Sequence, residues 1–296
     1  MENNKKTGFV SLIGRPSSGK STLVNTICGH KVSIVSDRPQ TTQFLIRGIY
    51  NDNESQIIFI DTPGYHHFES NLNKSLSSLS VKNLEEGDLI LYVVDLTRDF
   101  GEEEESIINK LKSTDLHIIV AYNKIDISNA KQRREIKSKI KSHLNPKDTV
   151  NLSAKTGERV DRLIDLIKQN LVYGHLYYPE EFVTDQSIPF RIKEVTREKV
   201  FNNTKEELPH SIYVEVITLD VKDDKIVSNA TVYVERNSQK GIVIGKDGSM
   251  IKKIGEEARR ELQEIFERKV NLFLNVKVHK NWRKDEKFLK KRFYLD

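Results

Sequence analysis

The feature of this 296-residue chain that most constrains its fold is a pair of glycines five positions apart, followed at once by lysine and serine. The loop comprises Gly14, Arg15, Pro16, Ser17, Ser18, Gly19, Lys20 and Ser21, with Thr22 after it. Apolar residues 8–13 predict a buried strand before the loop, and residues 19–28 predict a helix after it. Glycines let backbone N–H groups turn inward on a phosphate, and a helix N-terminus adds positive potential. The sequence therefore predicts a P-loop whose residues, with Thr22, contact a nucleotide.

Residues in and after this loop predict how phosphate and Mg²⁺ are held. Lys20 is expected to reach the β and γ phosphates, and the Ser21 hydroxyl is expected to bind Mg²⁺. Further nucleotide contacts are expected after an apolar strand, at Asp61, Thr62, Pro63 and Gly64. An acid at a strand end suits contact with Mg²⁺ through water, and the Gly64 N–H suits the γ phosphate.

The polar segment 33–43 contains a pair of threonines, of which Thr42 is the preferred switch residue. Its hydroxyl is expected to join the Mg²⁺ shell only when a γ phosphate is present, because such loops order around that phosphate and release after hydrolysis. An ordinary surface loop is the alternative. The catalytic side chain is not identified from the sequence, and Lys20, Thr42 and Gly64 are expected as transition-state or switch contacts.

Base selection is predicted from two short elements that follow successive strands. In the first, the Asp126 carboxylate can accept two hydrogen bonds from the guanine N1–H and exocyclic amine. Adenine lacks that donor pair and would leave the acid unpaired. Asn123 is expected to brace the loop, and the stem of Lys124 to cover the base. The second element supplies backbone donors for the guanine oxygen, and its residues are Ser153, Ala154 and Lys155.

Strands and helices alternate through the first part of the chain. Besides 8–13, strands are expected at 45–50, 56–60, 89–95, 116–123 and 149–152, and helices at 102–112, 130–143 and 158–171. This alternation predicts an α/β domain with a mostly parallel sheet covered on both faces. The turn at 51–54 is so short that its two strands must pair antiparallel, which adds one antiparallel edge strand.

A polar, aperiodic segment at 174–188 predicts a linker between a nucleotide-binding domain at 1–173 and a second domain at 189–296. The elements expected in the second domain alternate differently: a helix at 190–205, strands at 212–219 and 230–235, a short helix, a long helix at 249–268 and a strand at 271–278. The order helix, strand, strand, helix, helix, strand predicts a small α+β module.

Positive charge is concentrated at the end of the chain. The whole sequence has 48 Lys and Arg against 43 Asp and Glu, whereas residues 239–296 alone have 16 against nine. A polyanionic partner is therefore expected there. Within this region a glycine-bounded turn at a helix start suits close approach of a nucleic-acid backbone, and Asp247 is expected to point away from it. The RNA-contact candidates are Ile244, Gly245, Lys246, Gly248, Ile251, Lys252 and Lys253.

Aromatic residues are interleaved with eight Lys and Arg in the segment 277–292 and just beyond it, at Trp282, Phe288 and Phe293. Aromatic rings among cations can stack on RNA bases. The same spacing can instead hold a terminal helix against a core. The sequence leaves both interpretations open.

Together, the P-loop, the tetrapeptide at Asp61, the two base-binding elements and the second domain resemble the Era family of bacterial ribosome-assembly GTPases, over essentially the whole chain. The second domain resembles a type II KH domain. The resemblance implies hydrolysis of GTP to GDP and phosphate with Mg²⁺. It also implies that nucleotide state controls binding of the 3′ end of 16S ribosomal RNA during small ribosomal subunit assembly.

Two residues of the nucleotide site differ from common GTPase or family patterns. Tyr65 stands where many GTPases have a water-orienting Gln, and the family likewise has a different residue there, so intrinsic hydrolysis is expected to be slow. Ser17 stands where the family usually has Asn, which is linked in relatives to a stimulating potassium ion. This substitution puts potassium activation in doubt.

Cysteine content and hydropathy bear on location. Cys28 is the one cysteine, so no intramolecular disulfide forms, which suits a reducing compartment. The longest apolar run, 89–94, is far shorter than the roughly 20 residues of a membrane span, and the N-terminus lacks the pattern of a secretory signal. A monomeric, cytoplasmic protein is expected. The alternatives are a membrane-surface GTPase held by the basic tail, and a module that uses GTP as a structural ligand with negligible turnover.

Overall fold

The computed structural model describes residues 5–35, 44–61, 86–204, 208–282 and 285. By its internal contacts the chain divides into two compact units, residues 1–185 and 186–296. Among the described residues, no helix combines the length and apolar character that crossing a membrane would take.

The first unit has the predicted alternation of strands and helices. Its strands are β1 (Lys5–Ile13), β2 (Ile46–Asn51), β3 (Ser55–Asp61), β4 (Leu89–Asp95), β5 (His117–Asn123), β6 (Asp148–Asn151) and β7 (Val172–Gly174). Its helices are α1 (Lys20–Cys28), α2 (Glu102–Leu111), α3 (Ala130–Leu144) and α4 (Val160–Asn170). Local signals bound several of these helices. Gly29 ends α1 in a left-handed conformation, and the Asn129 side chain caps α3 by accepting from the Gln132 N–H.

These strands form one sheet in the order β2-β3-β1-β4-β5-β6. Strands β1, β3, β4, β5 and β6 are parallel, and β2 is the predicted antiparallel edge strand. Every residue of β4 is buried, which explains why its sequence is an uninterrupted apolar run ending in Asp95. Because parallel strands end at one edge of the sheet, the loops after β1, β3, β4 and β5 converge there.

Strand β7 was not predicted from the sequence. It pairs antiparallel with the start of β1, with Thr7 opposite Val172. Three residues with two exposed side chains give no recognisable strand pattern, so this pairing depends on a contact distant in sequence.

The predicted linker, residues 174–188, makes specific contacts with the first unit as far as Asp185. The Gln56 side chain accepts from the Tyr177 N–H at 2.7 Å and donates to the Tyr178 carbonyl at 2.8 Å. The Thr184 hydroxyl donates to the Arg47 carbonyl at 2.8 Å. Much of this polar segment is therefore attached to β2 and β3.

The second unit has the predicted order of helix, strand, strand, helix, helix, strand. Its elements are α5 (Ile188–Asn203), β8 (Tyr213–Val221), β9 (Lys225–Val234), α6 (Asn237–Ile244), α7 (Ser249–Phe266) and β10 (Lys269–Val278). The sheet order is β10-β9-β8, with β9 antiparallel to β8 and parallel to β10. Helices and sheet share one apolar core, whose members include Phe201, Val214, Val232, Ala258 and Leu262.

Candidate functional site

The P-loop lies between β1 and α1, where backbone conformation decides which residues fit. Gly19 has φ +98°, and a Cβ built there would lie 2.2 Å from the Asn123 amide nitrogen. A larger residue would therefore clash with the base-binding loop as well as strain the backbone. Ser17 also has a positive φ, 59°, and is exposed, whereas the buried Ser18 hydroxyl has no partner among the described residues.

Lys20 is almost fully buried inside this loop. Its ammonium donates to the carbonyls of Gly14 at 2.9 Å and Arg15 at 3.0 Å. Burial lowers the pKa of Lys20 to about 8, although the nearby carboxylate of Asp61 acts in the opposite direction. The ammonium is thus held at the inner face of the loop, where the motif requires it to meet phosphate oxygens.

Ser21 and Asp61 form the metal-binding part of the site. The Ser21 hydroxyl donates to Asp61 Oδ2 at 2.7 Å. Asp61 is fully buried, and burial raises the pKa of its carboxyl group, with Lys20 opposing that effect. Its other oxygen, Oδ1, is buried and has no hydrogen-bond partner in the described part of the chain. A hydroxyl and an unsatisfied carboxylate oxygen suit Mg²⁺, which prefers oxygen ligands and keeps several waters.

The Arg15 side chain points towards α2. Its Nε lies 2.5 Å from Glu103 and 3.1 Å from Glu104. Burial raises the pKa of Glu104 to about 7, with Arg15 opposing the shift. The next loop residue is also anchored, since the Arg98 guanidinium donates to the Pro16 carbonyl at 3.2 Å. These partners come from distant sequence and were not predicted.

Asn123 joins the P-loop to both base-binding elements, which confirms its expected bracing contact. Its amide donates to the Ser18 carbonyl at 2.8 Å, and its oxygen accepts from the N–H groups of Lys124 at 2.7 Å and Ala154 at 2.9 Å. The Ala154 N–H was expected to face the guanine oxygen, but here Asn123 engages it. The Ala154 carbonyl is held by the Thr26 hydroxyl of α1 at 2.6 Å.

The remaining predicted nucleotide contacts that the structure describes lie in or beside the elements that Asn123 connects. Asp126 and Lys155 are exposed, whereas Ser153 is buried. The Ser153 hydroxyl accepts from the Thr156 N–H at 3.2 Å, so it shapes the loop. Thr22, in the first turn of α1, is partly exposed. The structure therefore brings all the described members of the predicted nucleotide site to one edge of the sheet.

Part of the predicted site lies outside the described residues. This applies to the expected switch and γ-phosphate contacts Thr42, Thr62, Pro63 and Gly64, and to the adjacent Tyr65.

In the second unit, the predicted RNA-binding turn separates α6 from α7. Gly245 and Gly248 both have positive φ, 74° and 77°. A Cβ at Gly245 would lie 2.7 Å from that of Met250, whereas a Cβ at Gly248 would meet nothing within 4 Å. Space beside Gly248 is therefore open to a ligand. The exposed candidates are Lys246, Lys252 and Lys253, and the partly buried ones are Ile244 and Ile251.

The position of Trp282 decides between the two interpretations of the aromatic residues, base stacking and core packing, for this residue. It is fully buried, its Nε1–H donates to the Ser211 carbonyl at 2.9 Å, and its ring lies 5.9 Å from that of Tyr213. Trp282 is therefore a core anchor and cannot stack on a base in this arrangement. Phe288 and Phe293 lie outside the described residues.

Comparisons with known proteins agree with both halves of this description. Residues 9–124 match the family model of a 50S ribosome-binding GTPase, and residues 207–283 match that of the KH domain. GTPase Era of Borreliella burgdorferi is 44% identical over 97% of this chain and 99% of the relative. GTPase Era of Geobacter metallireducens is 42% identical over 99% of each. The chain belongs to the Era family of GTPases.

Two solved Era structures extend this comparison. An Era variant from Aquifex aeolicus bound to GDP and AlF₄⁻ is 37% identical, with a TM-score of 0.91 over 96% of this chain and 98% of that one. Era in complex with MgGDPNP and nucleotides 1506–1542 of 16S ribosomal RNA has the same identity and TM-score, over 97% and 98%. This Era-family chain is thus a GTPase, built from a P-loop domain followed by a KH domain.

Proposed function

We propose that the chain binds GTP·Mg²⁺ at the edge of the first sheet, hydrolyses it to GDP and phosphate, and uses the nucleotide state to control RNA binding by its KH domain. The observation that carries the nucleotide assignment is the position of Asn123, whose side chain links the P-loop to the base-binding element at Ala154. A single fixed amide thereby sets the distance between the phosphate and base sites.

The phosphate chemistry follows from the side chains already in place. On binding, Lys20 is expected to exchange the carbonyls of Gly14 and Arg15 for phosphate oxygens, which carry full negative charge and are stronger acceptors. Ser21 would bind Mg²⁺, and Asp61 would hold one of its waters. The metal offsets charge on the β and γ oxygens. Thr42 and Gly64 remain predicted partners of the γ phosphate.

Guanine selection is proposed to depend on Asp126, with Lys124 over the base and the Lys155 N–H near its oxygen. Asp126→Asn tests this directly. An amide can donate where the carboxylate only accepts, so it matches the extra oxygen of xanthine and mismatches the guanine amine. The preference for GDP over XDP should reverse in calorimetric titrations with Mg²⁺.

The matched control is Asp115→Asn, which makes the same change at an exposed residue before β5. That variant should keep the preference of the wild-type protein. Retention of a GDP preference by Asp126→Asn would refute the assignment of the base site.

We propose the 3′ end of 16S ribosomal RNA as the RNA ligand, and small-subunit assembly as the role. The support is the solved Era complex with 16S nucleotides 1506–1542, which is 37% identical to this chain. The family model at 9–124 mentions the 50S subunit, but the RNA in that complex belongs to the small subunit. The proposed contacts lie in residues 189–296, at the turn between Gly245 and Gly248.

The cellular setting is also a proposal. We propose a cytoplasmic monomer. The surplus of Lys and Arg in residues 239–296 is the basis for proposing peripheral contact with the inner face of the membrane. Co-sedimentation with liposomes that increases with anionic lipid content would support that contact. Sedimentation that ignores lipid charge would contradict it.

A further inference from the structure

Asp95 is a buried carboxylate beside the base-binding loop that the sequence did not single out. It ends β4 directly opposite Asn123 of β5, and it is 2% exposed. Its Oδ2 accepts from the Lys124 ammonium at 2.6 Å. Its Oδ1 accepts from the Thr97 N–H at 2.8 Å and hydroxyl at 2.6 Å. Both oxygens are satisfied, so the carboxylate is fixed in one orientation.

The residue that Asp95 holds is also constrained in its backbone. Lys124 has φ 66°, which an L-residue adopts at an energetic cost. Its carbonyl accepts from the N–H groups of Ile127 at 3.3 Å and Ser128 at 3.1 Å, closing the turn that carries Asp126. Lys124 is therefore the point at which the side-chain and backbone restraints of this turn meet.

The far side of the same turn has its own anchor. The Arg133 guanidinium donates to the carbonyls of Ile125 and, at 2.8 Å, Ser128. The Gln132 amide donates to the Thr97 carbonyl at 2.9 Å, which connects α3 to the turn around Asp95. Asp126 itself is exposed, so its position is set by these neighbours more than by its own packing.

We propose that Asp95 is a positioning residue for guanine recognition. By holding the Lys124 ammonium, it keeps the aliphatic stem of that lysine over the base and the turn in the shape that presents Asp126. This inference rests on the proposed base recognition by Asp126. The charge of Asp95 acts through Lys124, whereas its contacts with Thr97 shape the strand end.

A double-mutant cycle separates these two roles. The full-length variants are Asp95→Asn, Lys124→Met and the double variant, with Asp115→Asn as the matched control. Lys124→Met keeps an apolar stem and removes the ammonium. The readout is the dissociation rate of a fluorescent GDP analogue in the presence of Mg²⁺, and circular dichroism melting checks the fold.

Asp95→Asn should speed GDP release by roughly tenfold or more, because it removes the buried charge from a short ion pair whose lysine is partly exposed. In the Lys124→Met background the same change should alter the rate by less than about twofold. Equal acceleration in both backgrounds would overturn the proposal, as would unchanged release in Asp95→Asn.

Thr97→Val provides a second variant that keeps the Lys124 contact. It removes one hydrogen bond to the other carboxylate oxygen, and GDP release should stay within about twofold of wild type. Acceleration equal to that of Asp95→Asn would show that the carboxylate acts through its strand-end turn, against the proposal. Failure of Asp126→Asn to favour XDP would instead refute the proposed base site. That result is distinguishable from failure of the Asp95 proposal, which is measured by GDP release rates.

Discussion

The proposed nucleotide site and the proposed RNA-binding turn present their phosphate-binding groups in opposite ways. In the first, Lys20 and Asp61 are 6% and 0% exposed, and Asn123 fixes the loop around them. In the second, Lys246 and Lys252 are exposed, and Gly248 faces open space. The phosphate part of the first site is a set of buried groups with fixed partners, and the second site is a glycine-bounded turn with exposed lysines beside it.

The difference matches the size of each proposed ligand. A nucleotide fits inside a loop, so buried groups with fixed partners can hold its phosphates and Mg²⁺. The proposed base-selecting residue, Asp126, is exposed, but the turn that carries it is anchored by Arg133. An RNA strand passes over a surface, so close approach and exposed charge are needed, and binding weakens with salt. Substitutions in the first site should therefore change nucleotide selectivity and cause large losses of nucleotide affinity. Those in the second should produce smaller, salt-dependent effects.

The largest expected effect is that of Lys20→Met. Loss of the buried ammonium removes a charged donor to the phosphates, so GTP hydrolysis should fall by roughly a hundredfold or more. RNA binding without nucleotide should be unchanged. Phosphate release and RNA gel shifts measure the two. Lys112→Met, at an exposed position after α2, is the matched control. Hydrolysis at the wild-type rate in Lys20→Met would contradict the role of the buried ammonium in the nucleotide site.

The next largest effect is expected from Gly248→Asp. The acid would occupy the open space where an RNA backbone would lie and would repel its phosphates, so RNA affinity should fall about tenfold or more. Gly241→Asp controls for the added charge, because a Cβ there also meets nothing within 4 Å, and Gly248→Asn controls for the positive φ of +77° and the added bulk. Fluorescence anisotropy with a labelled RNA measures all three variants. A loss in Gly241→Asp or Gly248→Asn equal to that in Gly248→Asp would contradict repulsion of RNA phosphates at this turn.

A pH effect should distinguish the buried lysine from the exposed ones. Burial lowers the pKa of Lys20 to about 8, so the nucleotide-free fold gains stability as pH rises from there towards 10.5. Phosphates favour the charged form, so nucleotide binding above pH 8 must take up a proton. Through Lys20, GDP affinity should fall above pH 8 by at most about tenfold per unit. Calorimetry measures this dependence, and the Lys20→Arg variant should abolish it. The same slope in Lys20→Arg would assign the effect to another group.

The smallest expected change in RNA affinity is that of Trp282→Phe. The ring is buried and its indole N–H is bonded to Ser211, so the substitution should lower the free energy of unfolding by about 1–3 kcal/mol. RNA affinity should stay within about twofold. Urea unfolding and anisotropy measure these quantities. A tenfold loss of RNA affinity without loss of stability would instead support the interpretation that Trp282 stacks on an RNA base.

The parts of the structure that depend on residues close together in the sequence could be predicted from it. The P-loop, the element at Asn123, the element order of the second unit, that of the first unit as far as its last helix, and the antiparallel edge strand β2 all follow from local spacing and turn length. The location of Lys20 and Asp61 at one edge of the sheet also follows, because parallel strands end at the same edge, whereas the burial of Lys20 was not predicted.

Long-range contacts were not visible in the sequence. Strand β7 is three residues long, and the attachment of residues 177–185 depends on Gln56 and Arg47, more than 120 positions away. Asp95 reads as the end of an apolar strand, and only the fold shows its contact with Lys124. For Trp282, both interpretations were consistent with spacing, and burial decided between them.

The central claim is that nucleotide bound in the first unit controls RNA binding by the second. The most direct test measures the affinity of the full-length protein for an RNA matching the 3′ end of 16S ribosomal RNA, with Mg·GDPNP and with Mg·GDP, at one salt concentration. We predict RNA binding at least about fivefold tighter with GDPNP, which is a coupling of about 1 kcal/mol. Equal affinity in both nucleotide states would contradict the account.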